Sequence, residues 1–272
     1  MQTENGLTAV VDDRYLRTAS NPRYSVRLPM PNGALAQNEA YFFLEEDGQR
    51  KKIRFHDYDE IYLRPGLYEQ LFYDRLKCES PTRMAEWLSK AVNDAGERTQ
   101  SLRVLDLGAG NGMMGQALAK EGVARLVGVD ILPEAKMATE RDRPGLYDAY
   151  FAGDLTQSKS DLLTELSEWK FDCLTTVAAL GFGDIPTMAF INAYNAIEKG
   201  GWVAFNIRDT FLSQEDDTGF SVLIRAVLLS QKMELHRMIR YRHRYSIDGE
   251  PLYYYGIVCR KRSNLTTDVA NG

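Results

Sequence analysis

The chain has 272 residues, 44% of them hydrophobic, with three cysteines and a formal net charge of −5. That is enough apolar material for one large core, and the negative balance lacks the basic excess of a nucleic-acid binder. No apolar run approaches a membrane span, the start Met1-Gln-Thr-Glu-Asn-Gly6 has no signal-peptide core, and Cys78, Cys173 and Cys259 have no metal-type spacing. We therefore expect a cytoplasmic protein with reduced thiols, no metal, and neither nucleic acid nor membrane as partner; nothing in the sequence sets the oligomeric state.

In chain order, residues 1 to about 38 mix polar residues with Gly6, Pro22, Pro29, Pro31 and Gly33, and much of the segment reads as irregular or mobile. A small hairpin follows, Tyr41 to Leu44 and Lys52 to Phe55 around the turn Glu46-Asp-Gly-Gln49. Then come His56 and a run of tyrosines, Tyr58, Tyr62, Tyr68 and Tyr73, interrupted by Pro65-Gly66, and a helix from about Pro81 to Ala95.

The most informative stretch is Arg103-Val-Leu-Asp-Leu-Gly-Ala-Gly-Asn-Gly-Met-Met-Gly115, an apolar strand entering a turn of alternating glycines that opens a helix. Gly108, Gly110 and Gly112 let the backbone approach a ligand, and N–H groups at the helix start favour negative charge. Asp106 stands at the carboxyl end of the strand and suits an ammonium group. A second strand, Ala124 to Asp130, ends in an acid that either accepts from ribose hydroxyls or caps the helix begun by Pro133. A third, Ala149 to Ala152, runs into Gly153-Asp154-Leu155; Gly-Asp is also ordinary turn chemistry. The fourth, Phe171 to Ala179, the fifth, Gly200 to Ile207, and a helix from Ser221 to Ser230 lead to a closing hairpin, Met233 to Tyr245 and Leu252 to Cys259. Arg237, Arg240, Arg242 and Arg244 read as a solvated strand face.

Two cofactor classes fit the glycine turn. Gly110-x-Gly112-x-x-Gly115 with Asp130 downstream satisfies a dinucleotide fingerprint, whose oxidoreductase chemistry would need a Tyr-x-x-x-Lys; the matching pair Tyr73 and Lys77 lies before the loop, on the wrong side. The order Asp106-x-Gly108-x-Gly110-x-Gly112 resembles motif I of class I S-adenosylmethionine-dependent methyltransferases, and the later strands follow that family's order from about residue 68 to 260. The resemblance implies an α/β fold: a Rossmann-like, doubly wound, seven-stranded sheet with an antiparallel C-terminal hairpin. The N-terminal extension (1–67, with the small hairpin and a lid) precedes the catalytic domain (68–262), and a polar tail (263–272) follows. It implies S-adenosylmethionine as cofactor, with Asp106, Gly108, Ala109, Gly110, Asn111 and Gly112 at its methionine end. Asp130 would hold the ribose, Ile131 lie beside the adenine, Asp154 and Leu155 meet the adenine, and Val177, on the strand resembling motif IV, complete the site.

The segment Tyr68 to Arg75, followed by Ser80-Pro81, resembles small-molecule methyltransferases related to the Williams–Beuren syndrome region methyltransferase, although the tyrosine spacing is one residue shorter. Tyr58, Tyr68 and Tyr73 are accordingly candidates to contact the cofactor, since a sulfonium is attracted to aromatic faces. Candidate catalytic residues are His56, Tyr73 and Arg208, the last able either to orient an anion by a bidentate contact or to bond a loop carbonyl; His236 and His243 are lesser candidates for a base. No Asn-Pro-Pro-Tyr or Asp-Pro-Pro-Tyr follows the fourth strand, where Leu180 to Gly183 instead suits a wall between cofactor and acceptor. The acceptor is expected to be a small molecule. The alternative is a cofactor-binding regulatory or structural protein without transfer activity.

Overall fold

The computed structural model describes residues 23–30, 37–157, 159–180, 184–212 and 219–266. Seven strands form the main sheet: β4 (Arg103–Leu107), β5 (Arg125–Asp130), β6 (Ala149–Ala152), β7 (Cys173–Thr176), β8 (Trp202–Arg208), β9 (Met233–Tyr245) and β10 (Pro251–Lys261). Their order is β6-β5-β4-β7-β8-β10-β9, with the first five parallel and β10 antiparallel between β8 and β9. The chain winds outward from β4 in one direction and from β7 in the other. A crevice therefore opens at the carboxyl ends of β4 and β7, the position where open parallel sheets take ligands.

Period-two alternation along the strands divides the core between two helical layers. Val104 joins Leu126, Cys173, Trp202 and Val258 beneath α3 (Ser80–Asp94) and α4 (Met113–Lys120). Leu105 and Leu107 face the other way, with Val127, Leu174, Phe205 and Ile257, toward α6 (Asp161–Glu168), α7 (Thr187–Asn195) and α8 (Gly219–Leu229). α3 shows why these segments are helical: Pro81 sits in its first turn, and Met84, Ala85, Leu88, Ala91 and Val92 fall on one buried stripe at helical spacing. Each fully buried leucine or methionine of that stripe contributes roughly 1.5–3 kcal/mol of transfer free energy.

Ahead of this core, β1 (Ser25–Arg27), β2 (Tyr41–Glu46) and β3 (Gln49–Arg54) form a second, antiparallel sheet. It packs on α1 (Tyr58–Tyr62), α2 (Leu67–Glu69) and a π-helical stretch, Gln70–Arg75, through Phe42, Leu44, Ile53, Ile61, Leu67 and Phe72. β1 is an ordered exception within residues 1–38, much of which reads as irregular: Val26 is buried between exposed Ser25 and Arg27, a strand too short for its alternation to register in sequence. Residues 1–22, 31–36 and 267–272, which include most of that segment and most of the tail, lie outside the described residues.

One irregularity bears on the site. The β9–β10 register shifts between Leu252, opposite Arg244, and Tyr253, opposite Arg242, so His243 is an extra residue in a bulge. His243 and Arg244 are consequently both buried, where strict alternation would expose one of them. The expectation of a solvated arginine face holds for its outer members, since Arg237 pairs with Asp94 and Arg240 with Asp209, but fails for Arg244.

Candidate functional site

The loop after β4 is held from three sides. Gly108 and Ala109 donate backbone N–H groups to the Val129 carbonyl at 2.8 and 3.1 Å, tying the loop to β5. Gly110 N–H donates to Asp130 Oδ2 at 2.9 Å, and the Gly110 carbonyl accepts from Thr139 Oγ1 at 2.8 Å and Tyr150 Oη at 2.7 Å. Arg143 donates to the Asn111 carbonyl at 2.8 Å and to Glu69 Oε1 at 2.7 Å, and Asn111 Nδ2 donates to the same Glu69 oxygen at 2.9 Å. The glycine loop is thereby clamped to the tyrosine-bearing segment.

Gly110 has φ +55°, and a Cβ there would lie 2.5 Å from the Tyr62 hydroxyl. Glycine is thus required both for the left-handed backbone and for the close approach. Tyr62 is 6% exposed and stacks on Tyr58 with ring centroids 6.0 Å apart.

A cavity of about 270 Å³ lies over the loop. Of the residues expected to hold a cofactor, Gly108, Ala109, Gly110, Asn111, Asp130, Ile131, Asp154, Leu155, Val177, Tyr58, Tyr68 and Tyr73 line it. Tyr62, Leu132, Asp184 and Ile185 also line it and were not among the expected site residues. Tyr62 belongs to the tyrosine run in sequence, but nothing there ranks it above its neighbours.

Two expected members sit elsewhere. Asp106 is on the same side of β4 as Val104, beneath the α3 and α4 layer, where its oxygens accept from Tyr147 Oη at 2.8 Å and Thr175 Oγ1 at 2.7 Å. It does not line the cavity, and its carboxylate ties β4 to β7 and to the Tyr147 loop. Burial, partly offset by the two hydroxyls, pushes its carboxyl up to about 6. Gly112 begins α4 and packs against Leu146.

Asp130 lies 20 residues past Gly110 in the chain, and its two oxygens span the loop and the next helix: Oδ1 accepts from Leu132 N–H at 3.0 Å, while Oδ2 takes Gly110. The N-cap position of α5 (Pro133–Asp142) is Leu132, so Asp130 does not cap that helix. Burial raises its carboxyl, partly countered by these backbone N–H groups. Asp154 is exposed and forms the local turn that its Gly-Asp context allowed, accepting from Thr156 N–H at 2.7 Å and Thr156 Oγ1 at 2.8 Å, bonds that hold its carboxyl below the usual range.

A second chamber of about 30 Å³ lies behind the tyrosines and shares Tyr58, Tyr68, Ala178 and Asp184 with the first. His56 and Leu180 line it, and His56 Nδ1 lies 3.0 Å from Asp184 Oδ1. Ala178, at φ +60°, is fixed by its N–H donating to Asn206 Oδ1 at 2.6 Å. Asn206 Nδ2 continues to Tyr241 Oη and Ser80 Oγ, and Ser80 reaches His243 Nδ1 at 2.6 Å. Burial, and then adjacent Arg244, push His243 well below the usual imidazole range, so it stays neutral. Arg208 is half-buried and lines neither chamber. Gly181, Phe182 and Gly183, expected as part of a wall, lie outside the described residues.

With this geometry in place, residues 76–249, well over half of the chain, match the family profile described as a methyltransferase domain. The chain belongs to the methyltransferase domain family. Its fold is the class I S-adenosylmethionine-dependent methyltransferase fold, and the dinucleotide reading is set aside: Gly115, its third glycine, packs against the Tyr147 ring instead of facing the cavity. Among solved structures the chain is similar to the N-methyltransferase NodS from Bradyrhizobium japonicum WM9 in complex with S-adenosyl-L-homocysteine, at 14% identity and TM-score 0.49, covering 77% of this chain and 98% of that one. It is similar to magnesium protoporphyrin IX methyltransferase from Synechocystis PCC 6803 with bound SAM, at 17% identity and TM-score 0.47, covering 67% and 79%. It is also similar to the ribosomal protein L11 methylase from Lactobacillus delbrueckii subsp. bulgaricus, at 18% identity and TM-score 0.44, covering 67% and 79%. These likenesses concern the overall fold alone. A comparison with curated protein sequences finds no match.

Within this methyltransferase domain, no helix of the described residues is long and apolar enough to cross a membrane. No group of three or more His, Cys, Asp or Glu side chains among the described residues could hold a metal ion. Cys78, Cys173 and Cys259 are free thiols.

Proposed function

We propose that the chain is an S-adenosylmethionine-dependent methyltransferase acting on a small molecule, in the manner of the small-molecule subgroup its tyrosine segment resembles. The observation that carries this reading is a pair of adjacent chambers sharing Tyr58, Tyr68, Ala178 and Asp184: a cavity over the glycine loop, walled by four tyrosines, and a smaller polar one beside it. A polar chamber beside the cofactor cavity offers an acceptor group a seat, which a cofactor-binding protein without transfer activity does not require.

The residues fit the cofactor. A Cβ at Gly110 would close on the Tyr62 hydroxyl, and Tyr58, Tyr62, Tyr68 and Tyr73 line the same cavity as the loop, supplying aromatic rings of the kind that favour a sulfonium. Each Asp130 oxygen accepts one backbone N–H and keeps a lone pair for a ribose hydroxyl, while half-exposed Ile131 and Leu132 offer the adenine an apolar face. When bound, S-adenosylmethionine supplies an electrophilic methyl group on a good neutral leaving group. The chain's own part is then to position the acceptor, exclude water and, where the acceptor carries a proton, remove it. His56 is our candidate base: Asp184 accepts from Nδ1–H, which leaves Nε2 as the acceptor, a tautomer inferred from that bond. We read residues 68–262 as the catalytic domain and the segment from His56 to Tyr73 as its lid.

The test is methyl transfer from labelled S-adenosylmethionine into a metabolite extract. We expect label in a small product, and we expect His56→Ala to slow its formation at least tenfold if the acceptor carries a proton. Label appearing only in RNA or protein of the same lysate would overturn the small-molecule assignment.

A further inference from the structure

We propose that the second chamber seats a carboxylate of the methyl acceptor and that Arg244 holds it. The proposal rests on the reading above, because it assigns the first chamber to the cofactor.

The bulge in β9 turns Arg244 into the protein. Arg240 and Arg242 keep to the outer side of β9 and meet Asp209 and Glu79, but the extra residue His243 rotates Arg244 inward, where it is 5% exposed and lines the chamber. Its Nη1 donates to the Tyr245 carbonyl at 2.8 Å and its guanidinium lies over the Phe72 ring at 5.8 Å. Among the described residues it has no carboxylate partner. A buried guanidinium without a counter-ion is costly, and its planar fork suits a bidentate oxyanion, carboxylate or phosphate, of which the planar carboxylate is the smaller.

The rest of the chamber agrees in charge. The Cys78 thiol is pushed up by burial and His243 is held neutral, so neither adds a negative or positive charge at neutral pH. The one carboxylate among the described lining residues, Asp184, is engaged by His56 at 3.0 Å. Tyr254 Oη accepts from Gln37 Nε2 at 3.1 Å, which leaves its own O–H to give to an anion. A volume of about 30 Å³ is the room of one or two water molecules, enough for a carboxylate head and too little for a whole metabolite. In this proposal the remainder of the acceptor lies on the cofactor side of Tyr58, Tyr68, Ala178 and Asp184, the residues that line both chambers. The anion-holding role expected of Arg208 passes to Arg244.

The experiment titrates the full-length protein, saturated with S-adenosylhomocysteine, with acetate, butyrate and benzoate, with the corresponding amides, and with inorganic phosphate, followed by calorimetry and melting. Carboxylates should bind saturably and raise the melting temperature, whereas the amides should not. Arg244→Met should weaken carboxylate binding roughly tenfold to a hundredfold, the scale of a lost charge-assisted bond, with affinity for S-adenosylhomocysteine unchanged. Tyr254→Phe, which removes only a hydroxyl, should weaken it several-fold and decides the matter should Arg244→Met fail to fold. Amides binding as well as carboxylates, phosphate binding in their place, or variants that bind carboxylates like the wild type would overturn the proposal. S-adenosylhomocysteine binding without any carboxylate binding would overturn this inference alone; failure of S-adenosylhomocysteine itself to bind would remove the methyltransferase reading beneath it.

Discussion

Replacing Gly110 with valine should abolish binding of S-adenosylhomocysteine. The new Cβ would be built 2.5 Å from the Tyr62 hydroxyl, at a backbone φ of +55°. The left-handed conformation alone costs an L-residue about 1–2 kcal/mol, and more for a β-branched side chain. Tyr62 has little room to yield, because its ring is packed between Tyr58 at 6.0 Å and Tyr68 at 5.4 Å and is buried. The loop must move instead, and with it the Gly110 carbonyl that Thr139 and Tyr150 hold. We expect no detectable heat on titration with S-adenosylhomocysteine and a melting temperature lower by several degrees, the usual effect of roughly 1–3 kcal/mol in a domain of this size. Wild-type affinity in Gly110→Val would show that the ligand does not approach this loop.

The second large effect is expected of Asp130→Ala. Asp130 has two parts to play, and the variant separates them: it ties Gly110 to Leu132 through backbone bonds of 2.9 and 3.0 Å, and it lines the cavity where we place the ribose. Cofactor affinity should fall roughly tenfold to a hundredfold, the scale of a lost hydrogen bond to a charged group. Stability should also fall, by about 1–3 kcal/mol, because two backbone N–H groups lose their acceptor. Calorimetry and urea denaturation read the two effects independently. A loss of stability with unchanged affinity would reduce Asp130 to a loop tie.

The difference between what the sequence disclosed and what it did not follows from the range of the interactions involved. The glycine loop, Asp130 and the parallel strands were legible because strand, turn and helix signals are local and recur in a fixed order. Asp106 was legible as special, but its partners were not: Tyr147 and Thr175 come from distant parts of the chain, 41 and 69 residues away. Asp154 sits in the local turn that Gly-Asp chemistry permits, while also lining the cavity. Tyr62 was one of four tyrosines with no local mark of its own, and only the fold brings it onto Gly110. Asp184 was hidden for the same reason, since its partner His56 is 128 residues away. Arg244 was misread because a bulge is a one-residue change of register that alternation cannot anticipate.

The central claim is that the cavity above Gly110 is an S-adenosylmethionine site, and a paired ligand titration tests it most directly. S-adenosylhomocysteine at a hundred times its dissociation constant should stabilise the protein by about 2.7 kcal/mol, while NAD at the same concentration should leave the melting temperature where it was. Stabilisation by NAD with no response to S-adenosylhomocysteine would contradict the account.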